Sequence, residues 1–478
     1  MMRKGKVLFI IHDLYQNDVE FPLGVAYLAS ALRSIGTEVV ICNQDIYHYS
    51  NEQVVELFLE NKEYVLIGVG FLAARFKETI LDLCDVINIH KGKAKLILGG
   101  HGPSAIPKYM LKTTGADLIA VGESEETIID VLNAILLNKS FERIPGIAYR
   151  EGDSFYVNDR RPIRKDLDSF LFPAWDLFPM EIYMTNRLEV GQKSDRKSVG
   201  IISSRGCTNR CTFCYRLEKG IRFRNIQNVV REMKYLYERY GITYFCFLDE
   251  LFAISYERLI GFVANLKQEK LLGKIEYNVG GIRAESVTED MGKLFQDSGC
   301  HYINIGFESA SQKCLDELKK NITVEDNIKS AKILKSCGIH IGANFIWGAP
   351  SDTEETLKLA AEFLKQYDTH GELRTIRPIT PYPGSEMYSQ AIAKGLLTGP
   401  QDFFDKFKNS DVLTVNFTKV PDERVYEILF EVNKDLILNH YKYIAGNMKE
   451  ANQIINDFYS LYFEGQVKFR GARRFERN

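Results

Sequence analysis

The chain contains the stretch Ser203-Ser-Arg-Gly-Cys-Thr-Asn-Arg-Cys-Thr-Phe-Cys-Tyr215, in which three cysteines follow the pattern C-x3-C-x2-C. The apolar run Val199–Ser203 just before them is typical of a buried strand, so the cysteines are predicted to lie in a loop at its end. Three thiolates so close in sequence can converge on one metal centre. Soft sulfur ligands of this kind favour an iron–sulfur cluster or zinc.

The number of nearby ligands separates these two metals. Structural zinc normally takes four protein ligands, usually in two pairs, and no further Cys or His lies near the loop. A [4Fe–4S] cluster held by Cys207, Cys211 and Cys214 instead leaves one iron without a protein ligand. The pattern therefore favours an oxygen-sensitive cluster with one iron open to a small molecule.

Alternating strands and helices surround the cysteine loop and predict its fold. After the strand at Val199–Ser203, the apolar periodicity predicts helices near 226–240, 256–270, 288–297, 324–336 and 354–366. The strands predicted between them are Tyr244–Leu248, Glu276–Val279, Tyr302–Gly306, Ile339–Ile346 and Arg374–Ile376. Residues 198–385 are thus predicted to form a partial (β/α)6 TIM-like barrel, with its chemistry at the carboxyl ends of the strands.

The first 140 residues show a second α/β alternation. Five buried strands are predicted, at Lys6–Ile11, Glu38–Cys42, Val65–Val69, Lys95–Leu98 and Leu118–Val121. With helices between them, they predict a Rossmann-like, doubly wound parallel sheet at 1–140. Residues 141–197 are interpreted as a proline-containing connector, and 386–478 as a helical region with a basic tail at Arg470–Arg474.

Composition excludes some functions. A net charge of −2 gives no field for holding a polyanion, so nucleic acid is not expected as a partner. The N-terminal apolar run Val7–Ile11 is too short for a signal peptide or a membrane span, which predicts a cytoplasmic protein. Six further cysteines stand alone and are expected to be small buried hydrophobes, as is usual in a reducing compartment.

The cysteine loop, with aromatic Phe213 before the third cysteine, resembles the signature of the radical S-adenosylmethionine (SAM) superfamily. The resemblance implies that the amino and carboxylate groups of SAM chelate the open iron. It also implies that an electron from the cluster cleaves SAM to a 5′-deoxyadenosyl radical. A flavodoxin or ferredoxin is the electron donor that this resemblance suggests.

The same resemblance implies a set of SAM contacts at the strand ends. Asp249 and Glu250 follow one strand, where the family keeps polar groups near the SAM amine. Glu308 stands in Gly-Phe-Glu-Ser, which is similar to the family's Gly-Ile-Glu-Ser turn, and Arg283 is placed to pair with the SAM carboxylate. The turn Gly348-Ala-Pro350 resembles one beside the adenosine. Each carboxylate could alternatively be an ordinary solvated loop charge.

Three short segments of the first domain resemble the cobalamin-binding domain that is fused to one radical SAM subgroup. They are Phe21-Pro-Leu-Gly24, Leu98-Gly-Gly-His101 and Val121-Gly-Glu123, and the resemblance runs from about residue 6 to 390. Glycines at strand ends let backbone approach a large flat ligand. A nucleotide-binding or ligand-free Rossmann-like domain is the alternative. The implied cobalamin contacts are Leu23, Gly24, Phe71, Gly99, Gly100, His101, Gly122 and Glu123.

The residue that lies below the cobalt of cobalamin is harder to predict from the sequence. Many cobalamin domains carry D-x-H-x-x-G, whose histidine ligates cobalt, but Asp45 and His48 have the wrong spacing and lack the glycine. Many members of the subgroup also lack this motif. Phe71, Leu72 or Arg75 is therefore expected to cover the lower face.

Together the two domains predict a cobalamin-dependent radical SAM methyltransferase that acts on an unactivated carbon of a small molecule. A radical cyclase or rearrangement enzyme, like the anaerobic porphyrin-ring cyclase of the same subgroup, is the first alternative. A non-catalytic cobalamin sensor is the second, although the intact cysteine loop argues against it. The substrate is not identified by the sequence, and Arg377, Tyr382 and Tyr388 are the suggested cavity residues.

Overall fold

The computed structural model describes residues 5–14, 20–185 and 196–465. Its N-terminal sheet has the strand order β2-β1-β3-β4-β5-β6-β7. The seven strands are β1 (Lys6–Ile11), β2 (Glu38–Asn43), β3 (Leu66–Gly70), β4 (Lys95–Gly99), β5 (Leu118–Ala120), β6 (Ile147–Glu151) and β7 (Ser154–Val157). The first five are parallel, as predicted.

Helices cover both faces of this sheet because its central strands are apolar on both sides. Leu8 and Ile10 of β1 belong to one core cluster, whereas Val7 and Phe9 belong to another on the opposite face. The longer helices are Leu23–Ser34, Leu81–His90, Pro107–Thr114 and Glu125–Leu136. Shorter helical segments lie at Gln44–Tyr47, Asn51–Val54, Val55–Leu59, Ala73–Arg75, Phe76–Ile80 and His101–Ala105. The doubly wound arrangement predicted from the sequence is confirmed.

Strands β6 and β7 differ from the sequence prediction, which placed residues 141–197 in a connector. They form an antiparallel hairpin that continues the N-terminal sheet from β5. The hairpin is hard to recognise because β6 is buried over its first three residues and exposed over its last two, so the expected alternation is missing. The sheet is therefore mixed rather than wholly parallel.

The rest of the described connector packs between the two domains through aromatic side chains. Trp175 stacks on Phe21 with ring centroids 4.4 Å apart, and its Nε1 donates to Glu232 at 3.2 Å. Arg205 lies over the ring of Phe170, with 5.1 Å between the guanidinium carbon and the ring centroid. Short helical segments lie at Leu167–Ser169, Trp175–Leu177 and Met180–Tyr183.

The second sheet is a parallel half-barrel of six strands in the spatial order β15-β14-β13-β12-β11-β8. They are β8 (Ser198–Ile201), β11 (Tyr244–Phe247), β12 (Glu276–Ile282), β13 (Cys300–Glu308), β14 (His340–Trp347) and β15 (Arg377–Pro378). An antiparallel hairpin, β9 (Ser204–Cys207) and β10 (Gly220–Phe223), is inserted after β8. The partial barrel is confirmed, with its last strand three residues later than predicted.

Helices pack on the outer face of the half-barrel through the odd-numbered residues of the central strands, such as Ile303 and Ile305. These helices are Ile226–Tyr240, Tyr256–Gln268, Glu289–Asp297, Gln312–Glu317, Val324–Ser336 and Glu354–Tyr367, with a 3-10 turn at Ala284–Ser286. The even-numbered residues, such as Tyr302 and Asn304, face the inside of the barrel and carry its polar groups.

The C-terminal region is helical over its described part. Its helices are Glu386–Ala393, Pro400–Lys406, Asp422–Tyr443 and Met448–Phe463. Asn433 bonds both backbone groups of Ile376, at 2.8 and 3.0 Å, and so fixes the long helix to the segment before β15. The predicted basic tail Arg470–Arg474 lies outside the described residues. Across the described ranges, no helix is long and apolar enough to cross a membrane.

Candidate functional site

The three cysteines lie at the carboxyl end of β8, on the β9–β10 hairpin and the loop that it closes. Cys207 ends β9 and pairs with Gly220 of β10. Between them the loop carries Cys211 and Cys214. Gly206 has φ +87°, and a Cβ there would lie 2.3 Å from the carbonyl oxygen of Gly220, so only glycine is tolerated at this crossing.

The three thiols differ in exposure. Cys211 is buried, Cys207 is half-buried and Cys214 is exposed. The choice between zinc and a cluster rests on the number of ligands, since the loop carries three thiols whereas structural zinc usually takes four protein ligands.

The charges around the thiols come from barrel loops. Burial raises the pKa of the Cys211 thiol, and Lys320 opposes this shift whereas Glu308 and Cys207 add to it. Burial also raises the pKa of Cys214, to about 12. Thiolate ligation by iron would therefore release protons from these groups.

Asp249 anchors the start of the cysteine loop. Its side chain is 2% exposed and accepts bonds from the Ser203 N–H (3.0 Å), the Ser203 hydroxyl (2.7 Å) and the Ser204 hydroxyl (2.6 Å). Burial raises the pKa of this carboxyl, and the same donors and the charge of Arg258 oppose the shift. The carboxylate is thus engaged by the loop, and its contact with SAM stays a prediction.

Glu308 lies at the end of β13 and forms an ion pair that the sequence did not indicate. Its Oε1 accepts a bond from Lys320 Nζ at 2.8 Å, and both side chains are largely buried. Burial lowers the pKa of Lys320, but Glu308 and Cys211 outweigh this effect and the net pKa is raised. Glu308 has φ +62°, a strained value for glutamate, at a register shift between β13 and β14. Lys320 therefore keeps a positive charge beside the thiols.

Arg283 has one unpaired donor. Its Nη2 donates to the carbonyl oxygens of Lys320 (3.2 Å) and Asn321 (3.0 Å), and its Nε bonds Glu285. Its Nη1 is fully buried and has no hydrogen-bond partner. A buried guanidinium N–H without an acceptor is unfavourable, which makes Nη1 a fitting partner for the SAM carboxylate.

We predict that Arg283→Gln weakens SAM binding about ten- to hundredfold, because a charged hydrogen bond contributes roughly 1.5–3 kcal/mol. The dissociation constant is measured by equilibrium dialysis on the anaerobically reconstituted protein, with iron and sulfide content recorded in parallel. Arg239→Gln, on the exposed side of the helix Ile226–Tyr240, is the matched control. Unchanged SAM affinity in the Arg283 variant would remove this assignment.

Glu250 and the turn after β14 complete the predicted SAM contacts. Glu250 is exposed, yet partial desolvation by the surrounding protein raises the pKa of its carboxyl group. The charge of Arg216 opposes this shift. In the turn Gly348-Ala-Pro350, the backbone N–H groups of Gly348 and Ala349 donate to Asp352 at 2.9 and 2.8 Å. These positions surround the same strand ends as the cysteine loop, and their ligand contacts remain predictions.

The predicted cobalamin loops meet at the carboxyl edge of the N-terminal sheet. The Phe71 N–H donates to Gly99 (3.1 Å), and the Gly102 N–H donates to Phe71 (3.1 Å). Phe71 is buried, whereas Leu72, on the same loop, is 61% exposed. Leu23 and Gly24 start the helix Leu23–Ser34 at this edge. The side chain of Leu72 is therefore more available than that of Phe71 for covering a flat ligand.

Glu123 is engaged at the domain interface. Both of its oxygens accept bonds from Arg222 of β10, one of them at 3.0 Å, and Arg205 Nη1 lies 3.6 Å away. Arg205 also pairs with Glu125 at 2.6 Å. The sequence singled out Glu123 for cobalamin, but it gave no sign of the two arginines, which lie about 80 to 100 residues later. A cobalamin contact through this carboxylate stays a prediction.

The segment just after the third cysteine lies against the cobalamin edge. The Tyr215 ring meets His101 edge-on, with centroids 6.2 Å apart, and burial lowers the pKa of His101. Gly122 has φ +89°, and a Cβ there would come within 2.4 Å of Glu218 Oε1. The cysteine loop and the glycine loops of the first domain are therefore in direct contact.

A group of titratable side chains follows β1 and β2 at the same edge. His12 is buried, with both ring nitrogens lacking a hydrogen-bond partner, and desolvation lowers its pKa to about 4, aided by Arg75. His48 Nδ1 lies 2.8 Å from Asp13 Oδ2. Asp45 is 1% exposed and accepts the Leu14 N–H at 2.8 Å. Arg75, a suggested cover for the cobalt, is also buried here.

Burial raises the pKa of Asp45 from 3.8 to about 6. Because the folded-state pKa lies above the unfolded value, the native state loses stability as pH rises from about 4 to about 6. At about 1.4 kcal/mol per pKa unit, the loss is at most about 3 kcal/mol. We predict that Asp45→Asn raises the unfolding temperature at about pH 8 and changes it little near pH 4. Cobalamin-free protein is tested by a pH series of thermal melts, with exposed Asp82→Asn as the control. Equal effects at both pH values would contradict the assignment.

Comparisons with known proteins identify the two domains that carry these candidate sites. Residues 201–364 match the radical SAM superfamily and residues 17–132 match the B12 binding domain. An uncharacterized methyltransferase of Pyrococcus horikoshii is 29% identical over 383 residues, covering 79% of each chain. The anaerobic magnesium-protoporphyrin IX monomethyl ester cyclase of Cereibacter sphaeroides is 25% identical over 401 residues, covering 80% of this chain and 63% of the cyclase.

A solved structure shows the same fold. The radical SAM methyltransferase TsrM of Kitasatospora setae, with cobalamin and a [4Fe–4S] cluster bound, has a TM-score of 0.67 and 19% identity, covering 83% of this chain and 76% of TsrM. The matched segments contain the two loop sets that meet at Tyr215 and His101. The chain is therefore an enzyme that joins a B12-binding domain to a radical SAM domain.

Proposed function

We propose that this enzyme is a cobalamin-dependent radical SAM methyltransferase that methylates an unactivated carbon of a small molecule. The contact between the two loop sets carries the proposal, since Tyr215 directly follows Cys214 and packs against His101 of the predicted cobalamin edge. One substrate atom held between these loops would be within reach of both cofactors. The cluster would supply the electron that cleaves SAM to a 5′-deoxyadenosyl radical, and cobalamin would supply the methyl group.

The protein's own residues have distinct tasks in this proposal. Cys207, Cys211 and Cys214 hold the cluster, and Asp249 keeps the start of their loop in place through Ser203 and Ser204. Arg283 Nη1, buried without a partner, binds the SAM carboxylate.

Further residues orient SAM and keep the two domains together. Glu250 is available to the SAM amine, and Glu308 holds the Lys320 ammonium group beside the thiolates. The Glu123–Arg222 pair fixes the distance between the two domains.

The cobalamin contacts remain a proposal based on the same edge. Glycines at the ends of β4 and β5 carry no side chains that would obstruct a broad planar ligand, and His101 packs against Tyr215 of the cysteine loop at this edge. Leu72 is the exposed side chain closest in sequence to the buried Phe71 and is available to the ligand.

The proposal is tested by anaerobic incubation with SAM, a strong reductant and a panel of candidate substrates. The enzyme is reconstituted with its cluster, and half of the preparation is then loaded with cobalamin. We expect 5′-deoxyadenosine and S-adenosylhomocysteine together in the loaded half, and a methylated product by mass spectrometry. Substrate conversion with 5′-deoxyadenosine but without S-adenosylhomocysteine would overturn methyl transfer.

Ring closure is the second candidate, since the Cereibacter cyclase aligns with 80% of this chain. A cyclase would consume SAM and yield 5′-deoxyadenosine with no methylated product, so the same experiment separates the two. We further propose that the enzyme works in the cytoplasm and takes its electrons from a flavodoxin or ferredoxin. Replacing the chemical reductant by each protein donor in turn tests that partner.

A further inference from the structure

Two histidines and an aspartate converge at the end of the half-barrel opposite the cysteine loop. Asp368 and His370 lie in the loop after the helix Glu354–Tyr367, and His440 lies near the end of the long helix Asp422–Tyr443. One donor atom from each residue lies within 4.8 Å of the other two. Three ligand-type atoms at this separation can share one ion.

The three side chains are buried. His370 is 8% exposed, His440 is 7% exposed, and Asp368 is buried beside them. In His370 and in His440, Nδ1 has no accessible surface and no hydrogen-bond partner. Leaving such a group unsatisfied is unfavourable, and here two occur within one small cluster of side chains.

The carboxylate lies near one of these unpaired nitrogens. Asp368 Oδ1 accepts the backbone N–H of His370 at 3.2 Å, while Oδ2 lies 3.6 Å from His370 Nδ1, too far for a good hydrogen bond. The nearest cations are already engaged. Lys335 Nζ donates to backbone carbonyls of Gln366 and Asp368, and Arg374 pairs with Glu372 at 2.7 Å.

We propose that Asp368, His370 and His440 bind one divalent transition-metal ion, for which zinc is the best match. Two imidazole nitrogens and one carboxylate oxygen form a ligand set that zinc takes in proteins. Ligation would satisfy both unpaired Nδ1 atoms at once.

A further histidine with an unpaired nitrogen lies at this end of the barrel. His340, at the start of β14, has a buried Nδ1 without a partner, next to Gly371. With His301, which neighbours it on β13, this end of the barrel holds four of the chain's eight histidines. A water molecule would complete a tetrahedral site.

The ion would join the C-terminal helix to the barrel. His440 belongs to the helix, whereas Asp368 and His370 precede the edge strand β15. The long helix is already fixed to this edge through Asn433 and Ile376, and the metal would add a second attachment one and a half to two turns further along. The proposal is thus structural in nature and independent of the proposed methyl transfer.

The test uses full-length protein in which the cysteine loop cannot bind metal. The parent is the triple variant Cys207→Ala, Cys211→Ala, Cys214→Ala, which is incubated with zinc chloride, desalted and analysed by inductively coupled plasma mass spectrometry. We expect about one zinc per chain in this parent and a loss of that zinc when His440→Gln or His370→Gln is added. His90→Gln, an exposed histidine on another helix, should leave the zinc content unchanged.

Cobalt(II) gives a direct view of the ligands. Added to the same parent, it should produce the visible absorption of a four-coordinate nitrogen and oxygen site, and His440→Gln should remove that absorption. Zinc should also raise the unfolding temperature of the parent but not of the His440 variant. A parent that retains no zinc would overturn the proposal. A correctly folded His440→Gln protein that retains as much zinc as its parent would also overturn it.

Discussion

Replacing Cys214 by alanine should abolish both cluster assembly and SAM cleavage. With two remaining cysteines, a second iron loses its protein ligand, and the cluster is no longer held in the loop. Iron and sulfide content after anaerobic reconstitution should fall to background, and 5′-deoxyadenosine should not form. Cys207→Ala and Cys211→Ala should behave in the same way, since each thiolate is proposed to hold a different iron.

A matched control distinguishes ligand loss from a general effect of removing a thiol. Cys337 is buried at the end of the helix Val324–Ser336 and packs in the barrel core. Cys337→Ala should keep the cluster and the activity, with at most a modest loss of stability, because it removes one small buried group. SAM cleavage by Cys214→Ala at the wild-type rate would contradict the assignment of this cysteine.

Asp249→Ala has the second-largest expected effect, on the cysteine loop rather than on SAM. The change leaves the Ser203 N–H and the hydroxyls of Ser203 and Ser204 without their buried acceptor. We expect a loss of about 2–4 kcal/mol in the free energy of unfolding, seen as a lower melting temperature. Iron incorporation should fall with it, because the loop that carries Cys207 is no longer held in place.

The same variant distinguishes the two roles considered for Asp249, which are to anchor the cysteine loop and to contact SAM. If Asp249 served SAM alone, iron content and melting temperature would stay at wild-type values while SAM affinity fell. Asp297→Ala, at the exposed end of the helix Glu289–Asp297, serves as the matched control for removing an acidic side chain. Full iron loading and unchanged stability in Asp249→Ala would contradict the anchoring role.

Periodicity predicted most of the fold because the strands are strongly buried on both faces. The strand β1 is found at its predicted residues, and the neighbouring β3 and β4 differ by one residue at their ends. The hairpin β6–β7 was missed because its strands are short and half-exposed, without the alternation that marks a sheet edge. Strand β15 was placed too early because it has two residues and leaves almost no pattern.

The sequence predicted only part of the candidate site, because local spacing identifies ligands but not partners that are distant in sequence. The cysteine loop could be found from its spacing alone, since three thiols within eight residues are rare without a metal. Lys320 was missed, as it lies in an ordinary charged turn and gains its role only by packing against Glu308.

The same limit applies to the other contacts. The pairing of Arg222 with Glu123 depends on how two domains dock, and no single segment encodes it. The Asp368–His370–His440 group joins residues about 70 apart in sequence and follows no metal motif.

The central claim is that one iron of the cluster has no protein ligand and takes SAM in its place. Electron–nuclear double resonance on the reduced enzyme tests it directly, with SAM labelled by nitrogen-15 in the amino group and oxygen-17 in the carboxylate. The account predicts hyperfine coupling of both labels to the cluster, and weaker coupling of both labels in Arg283→Gln at limiting SAM. Absence of both couplings in wild-type enzyme saturated with SAM would contradict it.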